Sequence, residues 1–191
     1  MNAPDRVLRA GPGVTVVGVL VSLGCLGFAL VNVVLEISGY FDTGPYADYS
    51  SAFSVMNWLV VCLKVFGAAV ALLSVVGRPR RPVSAAVVTV SLWGAFATLG
   101  GYALGSVAEA VGMVLGLTGT SDQIDLGGIG YVLFFLLAAT GFGALAVSYR
   151  RRAGTRGRLA VLGVLGAPVL LGSVLVAVPS LLVALDIMPA P

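Results

Sequence analysis

The sequence predicts an all-α fold: a polytopic membrane bundle of five transmembrane helices with a short extra helix at the outer interface. Three observations predict it. Apolar residues make up 59% of the 191 residues and charged residues only 10%, where soluble proteins average roughly 45–50% and 25%. Five apolar runs are long enough to cross a bilayer, and the arginines are distributed asymmetrically between the intervening segments. We expect a single transmembrane domain over 1–191.

The five predicted spans have about 19–27 residues each, enough for a hydrocarbon core of about 30 Å. Lipid offers no hydrogen-bond partner to the backbone, so these segments are expected to be helices. The first run is also too long for the apolar core of a signal peptide and is expected to remain as an anchor. The spans cover about 14–35, 54–76, 83–104, 130–148 and 159–185.

Charge placement predicts the orientation. All ten arginines fall before the first span, between spans two and three, or between spans four and five: Arg6, Arg9, Arg78, Arg80, Arg81, Arg150, Arg151, Arg152, Arg156 and Arg158. Seven of the eight acids lie at the opposite ends: Glu36, Asp42, Asp48, Glu109, Asp122, Asp125 and Asp186. Because cationic loops stay cytoplasmic, the N-terminus is predicted inside and the C-terminus outside. Ten arginines against one lysine, with abundant Ala, Gly and Val, favour the cytoplasmic membrane of a bacterium.

The third apolar run is too long for one crossing. A straight helix over 83–117 would measure about 52 Å, more than the ~40–45 Å of a whole bilayer. We therefore expect a break near Gly100, Gly101 or Gly105, because glycine weakens a helix. The remainder, 106–117, is predicted to lie on the outer interface or dip into it.

Small residues predict close packing along this run. As a helix, its glycines share one face with Glu109, and residues of this size let a second helix approach closely. Those glycines are Gly101, Gly105, Gly112 and Gly116. In the fifth span, Pro168 and Pro179 are expected to kink the helix because proline cannot donate its backbone hydrogen bond.

Lys64 is the most informative polar residue, because it lies near mid-bilayer, where a charge costs about 2.5–3.5 kcal/mol. Asn57 shares its helical face, and Asn32 and Glu36 lie one turn apart on the antiparallel first helix. We expect an intramembrane polar cluster of these four residues, joined by Glu109 if 106–117 dips inward. Three interpretations of Lys64 stay open. In the first, Lys64 forms a buried structural pair or extends its side chain to the interface. In the second it belongs to a proton, ion or anion site, and in the third it pairs with an acid of another subunit.

The composition excludes several functions. Without histidine there is no His general base, imidazole metal ligand or Ser–His–Asp triad. Asp122 and Asp125 provide too few oxygens for a calcium site. Together with the missing histidine, this leads us to expect no catalytic residue, no cofactor and no metal. The short arginine-rich loop at 150–158 lacks aromatic residues, and nucleic-acid binding is not expected.

These observations favour a non-enzymatic integral membrane protein, a small subunit or accessory protein of a larger assembly. Its expected partners are the lipid bilayer and another membrane protein or a second copy. The alternative is a small oligomeric proton- or ion-coupled transporter or channel that uses Lys64.

Overall fold

The computed structural model describes residues 10–76, 85–120, 122 and 124–185. This part of the chain is all-helical and contains no strand. Its helices are α1 Pro12–Ile37, α2 Ser50–Val75, α3 Ala85–Val114, α4 Leu126–Ala153 and α5 Gly157–Ala184. Two short 3-10 helices, Tyr40–Asp42 and Gly44–Tyr49, join α1 to α2. Six of the charged residues from which the orientation was predicted lie outside the described residues: Arg6, Arg9, Arg78, Arg80, Arg81 and Asp186.

All five helices are long and apolar enough to cross a membrane, with mean hydropathy of 1.5 to 2.5 over their most apolar windows. Large apolar side chains point outward along them, such as Leu20 (62% exposed), Leu137 (73%) and Val169 (70%). Water would strongly oppose that exposure, whereas lipid tails are as apolar as leucine. The prediction of an all-helical chain with five helices able to span a membrane is confirmed.

Consecutive helices among the five alternate in direction. The first four helices form a ring in which α1 contacts α2 and α4, and α3 contacts α2 and α4. α5 packs outside this ring, mainly against α3, with which it runs parallel. We call the end that carries Arg150, Arg151, Arg152, Arg156 and Arg158 the arginine end, and the end that carries Glu36, Asp42, Glu109, Asp122 and Asp125 the acidic end.

The densest packing lies in the half of the bundle nearer the arginine end. Three helices contribute its buried core: Val70, Ala71 and Val75 of α2, Val88 and Leu92 of α3, and Phe142, Leu145 and Ala146 of α4. At this end the Arg152 guanidinium donates a 2.9 Å hydrogen bond from Nη2 to the backbone carbonyl of Ser74. The last carbonyls of a helix have no partner within it, so Arg152 ties the end of α2 to α4.

The fourth helix is longer than its predicted span of 130–148 because local caps set its ends. Asp125 precedes it and accepts a 2.7 Å hydrogen bond from the backbone N–H of Gly128, which satisfies one of the free donors of the first turn. Gly154 ends the helix in a left-handed conformation at φ 63°. The arginines Arg150, Arg151 and Arg152 therefore belong to the last turn of α4.

The predicted break in the third apolar run is wrong. α3 continues through Gly100, Gly101 and Gly105 and ends only at Val114. Its 30 residues correspond to a length of about 45 Å. A break would leave backbone groups without partners at several kcal/mol each, whereas an interior glycine costs about 0.5–1 kcal/mol. Residues 106–114 are thus the final turns of α3 and not a separate helix, and their depth in the membrane stays a prediction.

Candidate functional site

A polar cluster ties α1 to α2 near the acidic end. Glu36 lies in the last turn of α1, and Ser54 and Asn57 lie one turn apart on the facing side of α2. The Glu36 carboxylate accepts a hydrogen bond from the Ser54 hydroxyl and a second, of 2.9 Å, from Asn57 Nδ2. Asn57 Nδ2 also donates to the backbone carbonyl of Asn32 at 2.9 Å. We call Asn32, Glu36, Ser54 and Asn57 the polar cluster.

The Asn57 amide donates to two acceptors on α1, in addition to the hydrogen bond that Ser54 donates to Glu36. Asn57 is only 8% exposed, and burying its amide is tolerable because its two donors are paired. Asn32 takes part through its backbone rather than through its side chain. Glu36 supplies a negative charge close to the point where α1 ends.

A polar cavity of about 270 Å³ opens next to Glu36 at the acidic end. Its walls come from the end of α1, the first 3-10 helix and the start of α2: Glu36, Gly39, Phe41, Asp42, Ser50, Ser51 and Ser54. Two carboxylates and three hydroxyls therefore face one space. Glu36 and Ser54 belong both to the polar cluster and to the lining of this cavity, whereas Asn32 and Asn57 do not line it.

Lys64 lies deeper in the bundle and contacts an aromatic ring. It is seven residues beyond Asn57 on α2, about 10 Å further along the helix axis. Its Nζ lies 3.8 Å from the centroid of the Phe28 ring. Within the described part of the chain it forms no ion pair and no hydrogen bond. A cation above an aromatic face is stabilised by the ring quadrupole, by about 2 kcal/mol or more when water is excluded.

The sequence analysis did not single out two residues of this region, Ser54 of the polar cluster and, deeper in the bundle, Phe28. It belongs to an aromatic group that bridges α1, α3 and α4, with Phe28 stacked on Phe134 at 4.6 Å between ring centroids. Tyr131 and Phe135 of α4 extend this group to Tyr102 of α3. A signal existed, because Phe28, Asn32 and Glu36 follow one another at intervals of four residues on one face of α1.

Glu109 does not join the polar cluster. It lies on the exposed surface of α3 and lines a groove between α3 and α4. Among the described residues, the structure brings Asn57 and Glu36 into direct contact and adds the backbone of Asn32. It records no contact that links Lys64 or Glu109 to them.

The predicted packing glycines have different environments. Atoms placed as a β-carbon on Gly101 or Gly105 would meet nothing within 4 Å. The same atom on Gly112 would meet the Thr118 side chain at 2.6 Å. Gly116 lies beyond the helix in a left-handed turn at φ 70°.

The helix α5 is continuous through the positions of Pro168 and Pro179, and the predicted kinks at these prolines stay a prediction. The side chain of Pro179 lies outside the described residues.

Comparisons of the chain with protein-family models, with curated proteins and with solved structures find no match.

Proposed function

We propose that the protein is a non-enzymatic subunit or accessory protein of a larger assembly in the cytoplasmic membrane of a bacterium. Its partner is a transmembrane helix, from another membrane protein or from a second copy, that packs against α3 at Gly101 and Gly105. One observation carries this proposal: these two glycines continue a face that α3 already uses for helix packing, and they meet nothing in the described chain.

At Gly94, this face of α3 packs against α5. A β-carbon on Gly94 would lie 2.5 Å from the Ala167 β-carbon and 3.5 Å from the Gly163 carbonyl oxygen, so α3 and α5 approach as closely as two backbones allow. Gly101 and Gly105 follow Gly94 by seven and eleven residues, which places all three within about 20° of one direction around the helix. Small residues on such a face are the usual basis of helix association in lipid.

The helix α5 leaves the rest of this face uncovered. Beyond Ala167 most of its described side chains are exposed, including Val169 (70%), Leu170 (65%) and Val176 (69%). A β-carbon added at Gly101 or Gly105 would not reach any atom of α5 within 4 Å. An incoming helix would contact Gly101 and Gly105 on one side and the apolar surface of α5 on the other.

The test replaces both glycines, Gly101→Leu together with Gly105→Leu, and follows the size of the complex purified in mild detergent. A β-carbon added at either position would meet no atom of the described chain within 4 Å outside the neighbouring backbone of α3. Since leucine is also the better helix former, the free energy of unfolding is expected not to fall. The complex is expected to shrink to the isolated chain.

Gly27→Leu is the matched control, because Gly27 is a helical glycine of α1 that also meets nothing within 4 Å. It is expected to leave the complex intact. A wild-type protein that is monomeric in several mild detergents, or a double variant that retains its partner, would contradict the proposal.

A second candidate function, a small oligomeric proton- or ion-coupled transporter or channel, is favoured by Lys64. Its ammonium lies over Phe28 without an ion pair in the described residues. The cavity at Glu36, the polar cluster and Lys64 follow one another from the acidic end into the bundle. Ionisable residues within membrane spans are rare, and ion and substrate pathways are among the functions that they mark.

Flux through proteoliposomes separates this candidate from the first. Lys64→Met retains the packing of the aliphatic chain and removes the charge, so proton- or ion-dependent flux is expected to fall to background. Lys64→Arg, which keeps the charge, is expected to retain measurable flux. Unchanged flux in a folded Lys64→Met protein would reject a mechanism that depends on Lys64.

A further inference from the structure

A groove of about 600 Å³ separates the acidic-end halves of α3 and α4. The two helices pack closely nearer the arginine end, where a β-carbon on Gly143 would lie 3.0 Å from the Phe96 ring. They spread apart beyond Ala103, which is fully buried. The volume falls in the range of about 300–1,000 Å³ typical of small-molecule sites.

The walls of the groove are almost entirely apolar. They are formed by side chains of α3 such as Val107, Ala110 and Met113 and by side chains of α4 such as Ile129 and Leu136. Tyr102 and Met113 are eleven residues apart on α3, so the groove runs for about 16 Å along the helix. An extended alkyl chain of about a dozen carbons matches this shape.

The charged groups that line the groove are both negative. Glu109 and Asp125 lie toward its acidic end, and no lysine or arginine lines it. Asp125 uses Oδ1 to cap α4, and the Glu109 carboxylate forms no hydrogen bond or ion pair within the described residues. A carboxylate at this position attracts a cation.

We infer that this groove binds a free cationic amphiphile of the alkylammonium class. The ammonium group lies between Glu109 and Asp125, and the alkyl chain follows the apolar walls toward Tyr102 and Leu136. A zwitterionic phospholipid fits less well, because its phosphate would lie beside two carboxylates with no basic residue in the lining to neutralise it. The other groove-lining residues of α3 face α4, whereas Gly101 and Gly105 continue the face that Gly94 turns to α5. Apart from Glu109, which follows Gly105 by one helical turn, this inference therefore uses residues different from those of the proposed function.

Photo-crosslinking in nanodiscs of phosphatidylcholine tests the inference on the full chain. Three probes carry the same photoreactive dodecyl chain with different headgroups: ammonium, hydroxyl and sulfate. Mass spectrometry of the peptides locates the labelled residues. The ammonium probe is expected to label residues of 102–136 at least about fivefold more than the other two, a preference equivalent to about 1 kcal/mol. Equal labelling by the hydroxyl probe, or labelling outside 102–136, would overturn the inference.

Charge-removing variants test the two carboxylates. Glu109→Gln with Asp125→Asn removes both charges while asparagine still caps α4, and labelling by the ammonium probe is expected to fall at least about fivefold. Asp122→Asn, which removes a charge from the same end but not from the groove lining, is the matched control and is expected to keep the labelling. Unchanged labelling in the double variant would overturn the inference.

Two further arms test the cavity and the source of the ligand. Ala110→Phe places a ring in the groove and is expected to abolish labelling by the ammonium probe; persistent labelling would show that the ligand lies elsewhere. Phosphatidylethanolamine in the nanodisc is expected not to compete with the probe. Competition by that lipid would overturn the assignment to a free amphiphile in favour of a membrane lipid.

Discussion

At the scale of single residues, Asn57 is the polar link that holds α1 against α2. Its amide donates to the Glu36 carboxylate and to the Asn32 carbonyl, each at 2.9 Å. Interhelical hydrogen bonds within membranes contribute about 0.6–2 kcal/mol each, because the unfolded chain in lipid also finds partners. The contribution of Asn57 is therefore moderate, and it can be measured.

Asn57→Ala is expected to lower the free energy of unfolding by about 1–2 kcal/mol, since the Asn32 carbonyl loses its side-chain donor and the Glu36 carboxylate loses one of its two donors. The measurement is equilibrium unfolding in mixed micelles of a mild and a denaturing detergent. Asn32→Ala is the matched control, because Asn32 contributes its backbone carbonyl, and a change below about 0.5 kcal/mol is expected. Equal losses in the two variants would show that the side chain of Asn32 matters in a way that the structure does not contain.

Residue spacing predicted that Asn32, Glu36 and Asn57 lie close together, but it did not predict which residue Lys64 contacts deeper in the bundle. Glu36 and Asn32 are four residues apart, and Asn57 lies on the face of α2 that looks toward them, so their proximity follows from antiparallel helices. The contact partner of Lys64 could not be predicted from spacing, because an ammonium on a long flexible side chain can reach several depths in the membrane. Only the packed structure shows that it meets the ring of Phe28.

At the scale of helices, the apolar runs located every span but not the ends. The predicted 130–148 became Leu126–Ala153 because Asp125 and Gly154 cap α4 beyond its apolar stretch. The predicted break in α3 failed for a related reason. Glycine propensities describe helices in water, where an opened backbone finds hydrogen-bond partners, and a membrane removes those partners.

The contact between α3 and α5 has two glycines at the crossing, Gly94 and Gly163. A β-carbon on Gly163 would lie 2.5 Å from the Val90 carbonyl oxygen and 2.8 Å from the Trp93 β-carbon, so any side chain there must push the two helices apart. Gly163→Leu is expected to lower the free energy of unfolding by about 1–3 kcal/mol, the usual range for overpacking.

Gly172→Leu serves as its control on the same helix, because Gly172 has nothing within 4 Å of the added atom. The same unfolding assay is expected to show no loss for this variant. A Gly163→Leu protein as stable as the wild type would mean that α5 does not pack on α3 at this crossing.

At the scale of the whole molecule, the bundle is tightly packed toward the arginine end and looser toward the acidic end. The core of α2, α3 and α4 lies in the first half, whereas the groove and the polar cavity lie in the second. Proteins keep binding surfaces in the less densely packed parts of a fold, where elements can separate without loss of the core. The partner face, the cavity and the groove all lie in this looser half.

The sequence predicted five helices able to span a membrane, but not how the helices are arranged around one another. Composition and the lengths of the apolar runs were sufficient for that prediction. The position of α5 outside the other four depends on Gly94 and Gly163, two among 26 glycines. Nothing in their local sequence distinguishes them from glycines such as Gly27 that meet no other residue.

Five crossings with the arginine end in the cytoplasm would place the two termini on opposite sides of the membrane. Protease-sensitive tags are fused before Met1 and after Pro191, and intact spheroplasts are treated with protease before and after permeabilisation. The account predicts that the N-terminal tag is protected until the membrane is opened and that the C-terminal tag is cleaved at once, because arginine-rich segments remain inside. If both tags behave alike, the number of crossings is even, and the five-pass topology is contradicted.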